Sequence, residues 1–303
     1  MNLTYFLKHP ELYPAAIGIS QTQFEQLVPD FEKAFTKCWY RKAWSYQRQR
    51  GVGGGRKPLL KHTRQRLFFI LFYYKTYPTF RLASILFGVD KETIHRWKVF
   101  LEQVLWMAIG GQLILPKKKI KTLTGFMEIF PDLNEFIVDA TERRVLRSKD
   151  QSTQEFYYSG KKKCHTIKNQ VIIHPRTKRI LAVSKTVEGK RHDKQLCEDD
   201  GLILRAPPGA VGSGDLGYIG VCELNPLIKV ALPLKKPRSR ELNPEEKETN
   251  RVISSVRVRV EHVIGALKFF DILSERYRGK ISTADLPMRN IAALYNYTRS
   301  ATC

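Results

Sequence analysis

The sequence lacks the cysteine spacing that indicates a disulfide framework or a zinc site. Its five cysteines are scattered, and no two of them form a Cys-x-x-Cys pair. It also has no long apolar run, since the densest one, Leu67 to Tyr74, is far too short to span a bilayer. No basic segment followed by an apolar one opens the chain. We therefore expect a cytoplasmic protein with no membrane partner.

Acidic residues are missing from a long stretch near the N-terminus. Residues 33–89 contain no Asp or Glu but thirteen Lys and Arg, and the 303-residue chain carries a formal charge of +23. Such an excess favours a polyanion, with nucleic acid the first candidate and an anionic membrane surface the second. The alternative is a merely basic face. Four aromatic residues are interleaved with these basic ones: Trp39, Tyr40, Trp44 and Tyr46. They can stack on bases or fill a core.

The N-terminal half predicts helices throughout. Residues 1 to about 50 should form short helices, with apolar residues at helical spacing and an interruption at Pro29. Three further helices are predicted at Thr63–Tyr74, from Pro78 to Phe87, and from Lys91 to about Met107. Asp90 is placed to cap the last of them.

The spacing of small residues in this region indicates a helix-turn-helix. Ser84 would allow close helix approach, Gly88 would take the tight turn, and Ile94 would pack between the helices. An ordinary helical hairpin in a core gives the same pattern. In a helix-turn-helix, the second helix, here the third of the three predicted, offers its N-terminal residues to the major groove. The residues so placed are Lys91, Thr93, His95 and Arg96.

The C-terminal half changes to short apolar strands separated by turns, which predicts an α/β domain. We expect four domain segments: a helical and basic segment (1–55), a helix-turn-helix domain (56–112), a linker (113–130) and an α/β catalytic domain (131–303). The predicted strands are Phe136–Val138, Lys163–His174, Ile180–Thr186 and Ala210–Gly214, with an edge strand within 226–237. The predicted helices are 192–201, 244–270 and 286–297.

Three acids stand out because of their surroundings. Asp139 follows the apolar residues 136–138, Asp215 lies among glycines, and Glu261 lies on a helix beside Val260 and Val263. The central hypothesis is that the three meet in space and hold divalent metal ions for phosphodiester chemistry, because Mg²⁺ prefers carboxylate oxygen. Each acid also has a simpler interpretation. Asp139 can cap a turn, Asp215 can form a Gly-Asp turn, and Glu261 can pair with Arg257 one helical turn away.

Several stretches together resemble the DDE-type transposases of bacterial insertion sequences. They are Val138–Glu142, Tyr157–Lys163, His165–Gln170, Gly214–Tyr218 and Arg257–Lys268. The family carries Tyr, Arg, Glu and Lys at fixed spacing on its last catalytic helix. Arg257, Glu261 and Lys268 match this pattern, whereas Ser254 stands at the Tyr position. The resemblance implies a ribonuclease-H-like catalytic domain, a mixed sheet flanked by helices, after an all-α helix-turn-helix domain.

The resemblance also implies a reaction and its partners. Two Mg²⁺ ions, or Mn²⁺ in their place, would be held by Asp139, Asp215 and Glu261, and the DNA partners would be terminal inverted repeats and target DNA. Acting on two ends implies a homodimer or larger assembly in the bacterial nucleoid. A domesticated nuclease and a non-catalytic DNA-binding regulator are the alternatives. The residues expected to hold phosphates, or else to be solvated surface charges, are Arg257, Lys268, Lys161, Lys162 and Lys163.

Two further acids lie close to these motifs in the sequence. His192-Asp193 invites a catalytic interpretation, but we expect Asp193 to cap the short helix that it begins. Glu142 is expected to lie near Asp139.

Overall fold

A computed structural model describes residues 3–44, 58–112, 135–201, 203, 206 and 208–300. The predicted link at 51–58 (apart from Pro58), the linker at 113–130 and Tyr46 lie outside these ranges. The chain divides into two compact units. The helical unit comprises the described residues up to Gln112 together with Lys268–Glu275 and 286–300, and the sheet unit comprises the described residues of 135–267 and Arg276–Asp285. The predicted fold class, a helical region followed by a mixed α/β region, is confirmed.

The helical unit is built around one helix that is buried on all sides. All eight residues from Leu67 to Tyr74 are buried in α4, as expected for a helix that is apolar all round. The described helices of the unit are α1 (Leu3–Lys8), α2 (Tyr13–Ile17), α3 (Gln21–Trp44), α4 (Thr63–Thr76), α5 (Phe80–Phe87), α6 (Lys91–Ile109), α11 (Asp271–Ser274) and α12 (Asp285–Ser300). The first residue of α12, Asp285, belongs to the sheet unit. No helix in the described part of the chain is long and apolar enough to cross a membrane.

The predicted interruption at Pro29 is wrong, because α3 continues through it for 24 residues. Pro29 is exposed, whereas Leu27 and Phe31 are fully buried on either side of it. Tertiary packing of the apolar face thus outweighs the missing N–H and the local steric conflict of one proline. Further along α3, Trp39 remains 43% exposed and stacks on Phe35.

The helix-turn-helix prediction is confirmed by α5 and α6. Gly88 ends α5 in the left-handed region at φ 66°, a conformation that favours glycine. Asp90 caps α6, since its Oδ1 accepts a hydrogen bond from the Thr93 amide at 2.7 Å, and Ile94 is fully buried. The buried small residue on α5 is Ala83 rather than its half-exposed neighbour Ser84.

The sheet unit has strands in the order β2-β3-β1-β6-β7, with β4 and β5 also paired to β3. β1 is antiparallel to β3 and parallel to β6, and β7 lies parallel to β6 at the edge. The strands are β1 (Glu135–Arg144), β2 (Tyr158–Ser159), β3 (Cys164–Ile173), β4 (Ile180–Val183), β5 (Val187–Glu188), β6 (Val211–Ser213) and β7 (Lys229–Ala231). The helices are α7 (Gln151–Tyr157), α8 (Asp193–Asp200), α9 (Val221–Leu224) and α10 (Pro244–Lys268, of which Lys268 falls in the helical unit).

One face of the sheet is covered by α8 and by the turn that follows β6. Phe136 and Val138 on β1 pack there with Cys197 of α8 and with Tyr218 of the turn. The alternation of side chains along β1 places Asp139 on the opposite face from Val138. The strand order therefore fixes which side of the sheet the acid occupies.

Candidate catalytic site

The register of two parallel strands brings Asp139 and Asp215 to the same place. β1 and β6 run side by side, and their last paired residues are Ile137 and Ser213. Asp139 and Asp215 each follow two residues after this pair, so both acids lie at the same level just beyond the parallel pairing. The predicted strand Phe136–Val138 is too short, because β1 continues past Asp139 to Arg144 through its pairing with β3.

The Asp139 carboxylate is partly buried in a field of mixed charge. Burial raises its pKa to about 6; the charges of Asp215 and Asp193 add to the rise, and the Arg257 guanidinium opposes it. The hydrogen bond that Oδ1 accepts from the Ala140 amide at 2.8 Å also favours ionisation. Burial therefore disfavours the ionised form of Asp139 when no cation is bound. A metal ion would offset this cost, because a bound cation favours the ionised carboxylate.

Asp215 caps a turn, and its charge also acts on the Asp139 carboxylate. Its Oδ1 accepts a hydrogen bond from the Gly217 amide at 2.8 Å, and Leu216–Tyr218 forms a single 3₁₀ turn behind it. The turn interpretation of Asp215 is thus confirmed, and it is compatible with the electrostatic contact to Asp139. A carboxylate fixed through one oxygen by a backbone amide is held in one orientation for whatever binds beside it.

A third acid in this neighbourhood is Asp193, for which the sequence predicted only a capping role. That prediction is wrong: His192 is the N-cap of α8, and its side chain makes no capping hydrogen bond. Asp193 Oδ1 accepts a hydrogen bond from Lys168 Nζ at 3.0 Å. A Cβ atom built on Gly217 would lie 2.6 Å from Asp193 Oδ2 and 2.9 Å from Asp215 Oδ1, so the two carboxylates flank one glycine.

Glu261 lies exposed on α10, and the structure does not place its carboxylate with the other two acids. Among the described residues, no group of three or more His, Cys, Asp or Glu is arranged to hold a metal ion. Within the described residues, Glu261 forms no ion pair with Arg257. Glu142, expected near Asp139, accepts a hydrogen bond from Thr166 Oγ1 at 2.6 Å. The role of Glu261 stays a prediction.

The atoms around Asp139 fit a divalent cation with its water shell. Thr141 Oγ1, Ser213 Oγ and Arg257 Nε are buried without a hydrogen-bond partner in the structure. Alternation along β1 places Thr141 on the face of Asp139, and Ser213 pairs with Ile137 on that same face. Buried polar atoms without partners are uncommon. Together with two carboxylates, the hydroxyl oxygens of Thr141 and Ser213 form the oxygen-rich surroundings that Mg²⁺ and its waters require.

The residues predicted to contact DNA differ in how accessible they are. Lys91, His95 and Arg96 are exposed near the N-terminus of α6. Thr93 instead uses its hydroxyl within the cap, since Oγ1 donates to Asp90 Oδ2 at 2.8 Å and accepts from Arg96 Nη2 at 2.9 Å. This internal bond orients the Arg96 guanidinium.

The other predicted DNA contacts lie in the β2–β3 turn and on α10. Lys161, Lys162 and Lys163 are exposed in the turn, where Lys163 takes a left-handed conformation with φ 51°. On α10, Arg257 is half-buried and Lys268 is the last residue. The structure therefore places five of these lysine and arginine side chains on two separate elements of the chain.

Comparison with known proteins shows the same two-part organisation. Residues 138–296 match the family model described as DDE superfamily endonuclease, and residues 60–105 match the helix-turn-helix of DDE superfamily endonuclease. A probable transposase for insertion sequence element IS702 of Microchaete diplosiphon is 30% identical over 243 residues, or 80% of this chain and 83% of that protein. A putative transposase for insertion sequence element IS112 of Streptomyces albus G is 26% identical over 287 residues, or 92% and 91% of the two chains. No solved structure matches the chain.

Proposed function

Because the chain belongs to the DDE superfamily of endonucleases and carries that superfamily's helix-turn-helix domain, we propose that it cuts DNA at the ends of an insertion sequence. The released 3′-hydroxyl then attacks target DNA in a strand transfer at the same site. The observation that carries the proposal is the parallel register of β1 and β6, which brings Asp139 and Asp215 close enough for the charge of Asp215 to raise the pKa of Asp139.

In this proposal, Asp139 and Asp215 hold Mg²⁺, with Glu261 as the third acid. When bound, two such ions supply a water-derived nucleophile and neutralise the charge that develops on the phosphate. Asp139 contributes its partly buried carboxylate, and Asp215 is kept in orientation by the Gly217 amide. The absence of a side chain at Gly217 leaves room for the carboxylates of Asp193 and Asp215 beside it.

Arg257 is the residue best placed to bind the phosphate of the scissile strand. Its charge acts directly on Asp139, its side chain is half-buried, and its Nε has no hydrogen-bond partner in the structure. A guanidinium with an unused N–H beside a carboxylate site is suited to a phosphate oxygen. Lys268 and the lysines of the β2–β3 turn would then hold the flanking backbone of the DNA.

The helix-turn-helix would recognise the terminal inverted repeats. Lys91, His95 and Arg96 lie exposed at the start of α6, as groove contact by a second helix requires. Thr93 orients Arg96 rather than reaching a base itself. Since cleavage and joining act on two ends, we propose that two or more copies assemble on the DNA.

The proposal is tested by incubating the purified chain with Mg²⁺ and a duplex that carries the element ends, and by following nicking and strand transfer. Asp139→Ala should retain binding to the ends and lose nicking. The control is Glu135→Gln on the same strand, which removes only an exposed ion pair with Arg176. Undiminished nicking by Asp139→Ala would refute the assignment.

A non-catalytic regulator is the second candidate, favoured by one observation. The described residues hold no group of three acids arranged for a metal. If the wild type binds the ends but neither nicks nor transfers strands with Mg²⁺ or Mn²⁺, the regulator is correct. If it nicks without transferring strands, it is a nuclease only.

A further inference from the structure

A buried ion pair lies beside the proposed catalytic acids and has no part in the proposed chemistry. Lys168 of β3 donates to Asp193 Oδ1 at 3.0 Å and to the Arg191 carbonyl at 2.7 Å. The two side chains are only 9% and 15% exposed. A charge so far from water is unfavourable unless it is paired and hydrogen-bonded, so each partner holds the other in place.

The other oxygen of Asp193 faces the turn that carries Asp215. Asp193 Oδ2 would lie 2.6 Å from a Cβ atom at Gly217, and Asp215 Oδ1 would lie 2.9 Å from it on another side. The Gly217 amide donates to Asp215 Oδ1 at 2.8 Å. Gly217 is therefore enclosed by both carboxylates, and its backbone is the physical link between them.

The next residue of the turn is anchored on the same face of the sheet. Tyr218 is fully buried, and its hydroxyl oxygen accepts a hydrogen bond from Gln170 Nε2 at 3.1 Å. Gln170 and Lys168 alternate with Asn169 on β3 and so point to one side of the sheet. The turn Leu216–Tyr218 is thus held against β3 at two adjacent points, through Tyr218 and Gln170 and through Gly217, Asp193 and Lys168.

We propose that Asp193, held by Lys168, is a positioning residue that fixes the turn and thereby the orientation of Asp215. This inference rests on the proposed function, in which Asp215 holds the metal. Lys168 neutralises Asp193, which lets a carboxylate lie against Gly217 without repelling Asp215 out of place. Asp193 restricts the glycine from one side, and the Gly217 amide transmits the restriction to Asp215 Oδ1.

The test removes the ion pair as a whole, because a single substitution would leave one buried charge unpaired and strongly destabilise the protein. The variant is Lys168→Met with Asp193→Asn. The matched control is Glu223→Gln, which breaks an exposed ion pair with Lys194, the neighbour of Asp193 on α8. The double variant, Glu223→Gln and the wild type are compared by circular dichroism and by binding to end-bearing DNA.

The first readout needs no catalysis. Hydrogen–deuterium exchange of the peptide with residues 215–219 should become faster in the double variant and stay unchanged in Glu223→Gln. The second readout is the Mg²⁺ concentration for half-maximal nicking. It should rise by about 10- to 100-fold, as for other residues that orient metal ligands, and Mn²⁺ should restore part of the rate.

The outcomes separate this inference from the proposed function. Unchanged exchange in the double variant overturns the positioning role, whatever the nicking shows. Faster exchange with an unchanged Mg²⁺ requirement overturns its link to the reaction. A wild type that does not nick contradicts the proposed function, while the exchange result still decides whether Asp193 restrains the turn.

Discussion

Asp139→Asn should stabilise the metal-free protein at pH 8, although it removes the acid on which the proposed activity depends. The pKa of Asp139 is raised from 3.8 to about 6, first by burial and then by the charges of Asp215 and Asp193. One pKa unit corresponds to about 1.4 kcal/mol, so the ionised carboxylate costs about 3 kcal/mol of folding free energy. The amide carries no charge and avoids this cost.

The sign of the effect sets the pH window. A folded-state pKa above the unfolded value favours folding while the carboxyl is protonated. That contribution is fully present below about pH 4 and is lost as pH rises through about 6. The wild type and Asp139→Asn should therefore have similar stability near pH 4, and the variant should be more stable by up to about 3 kcal/mol at pH 8.

Urea denaturation in EDTA at pH 4.5, 6 and 8 measures this difference, with Glu135→Gln as the control on the same strand. Adding Mg²⁺ at pH 8 should then stabilise the wild type and not Asp139→Asn, because only a ligand that binds the folded state shifts the equilibrium. A difference between wild type and variant that is the same at pH 4.5 and pH 8 would show that the charge of Asp139 is not penalised.

Three further predictions concern other elements. Gly217→Ala should abolish nicking while end binding persists in a gel-shift assay, because its Cβ would collide with Asp193 and Asp215; normal nicking would contradict this crowding. Arg96→Ala should weaken binding to the element ends more than binding to an unrelated duplex, measured by fluorescence anisotropy, because a groove contact carries sequence specificity; an equal loss on both duplexes would argue against a groove contact. Asn290→Ala should lower the free energy of unfolding by about 2 kcal/mol in urea, because buried Nδ2 donates to Tyr74 Oη at 2.9 Å and to the Glu102 carbonyl at 2.8 Å; a loss below about 0.5 kcal/mol would show that these bonds contribute little to stability.

The sequence predicts best where short-range chemistry decides the structure. Gly88 and Asp90 mark the helix-turn-helix because a left-handed turn and a capped helix start each depend on one residue type. The apolar stretches of β3 and β4 also predict strands, because that pattern lies within a few neighbouring residues. Pro29 shows the limit, since its local effect is outweighed by the burial of Leu27 and Phe31 on the same helix.

The site itself depends on pairing between distant residues, which no local pattern contains. The polar residues after Asp139 read as the end of a strand, yet β1 continues because β3 supplies partners as far as Thr166, opposite Arg144. The register of Ile137 with Ser213 is likewise set by the sheet as a whole. Asp193 stands out in the sequence only beside His192, because its partner Lys168 is 25 residues away and nothing in the spacing indicates their contact.

The most direct test of the central claim is to locate the metal ion on the chain. Fe²⁺ replaces Mg²⁺ in oxygen-rich sites, and with ascorbate and peroxide it generates radicals that cut the peptide backbone next to the ion. We predict cuts close to Asp139 and Asp215 that excess Mg²⁺ suppresses and Asp139→Asn abolishes, and a third cut near Glu261 if that acid joins them. Cuts elsewhere, or the same cuts in Asp139→Asn, would contradict a metal site at Asp139 and Asp215.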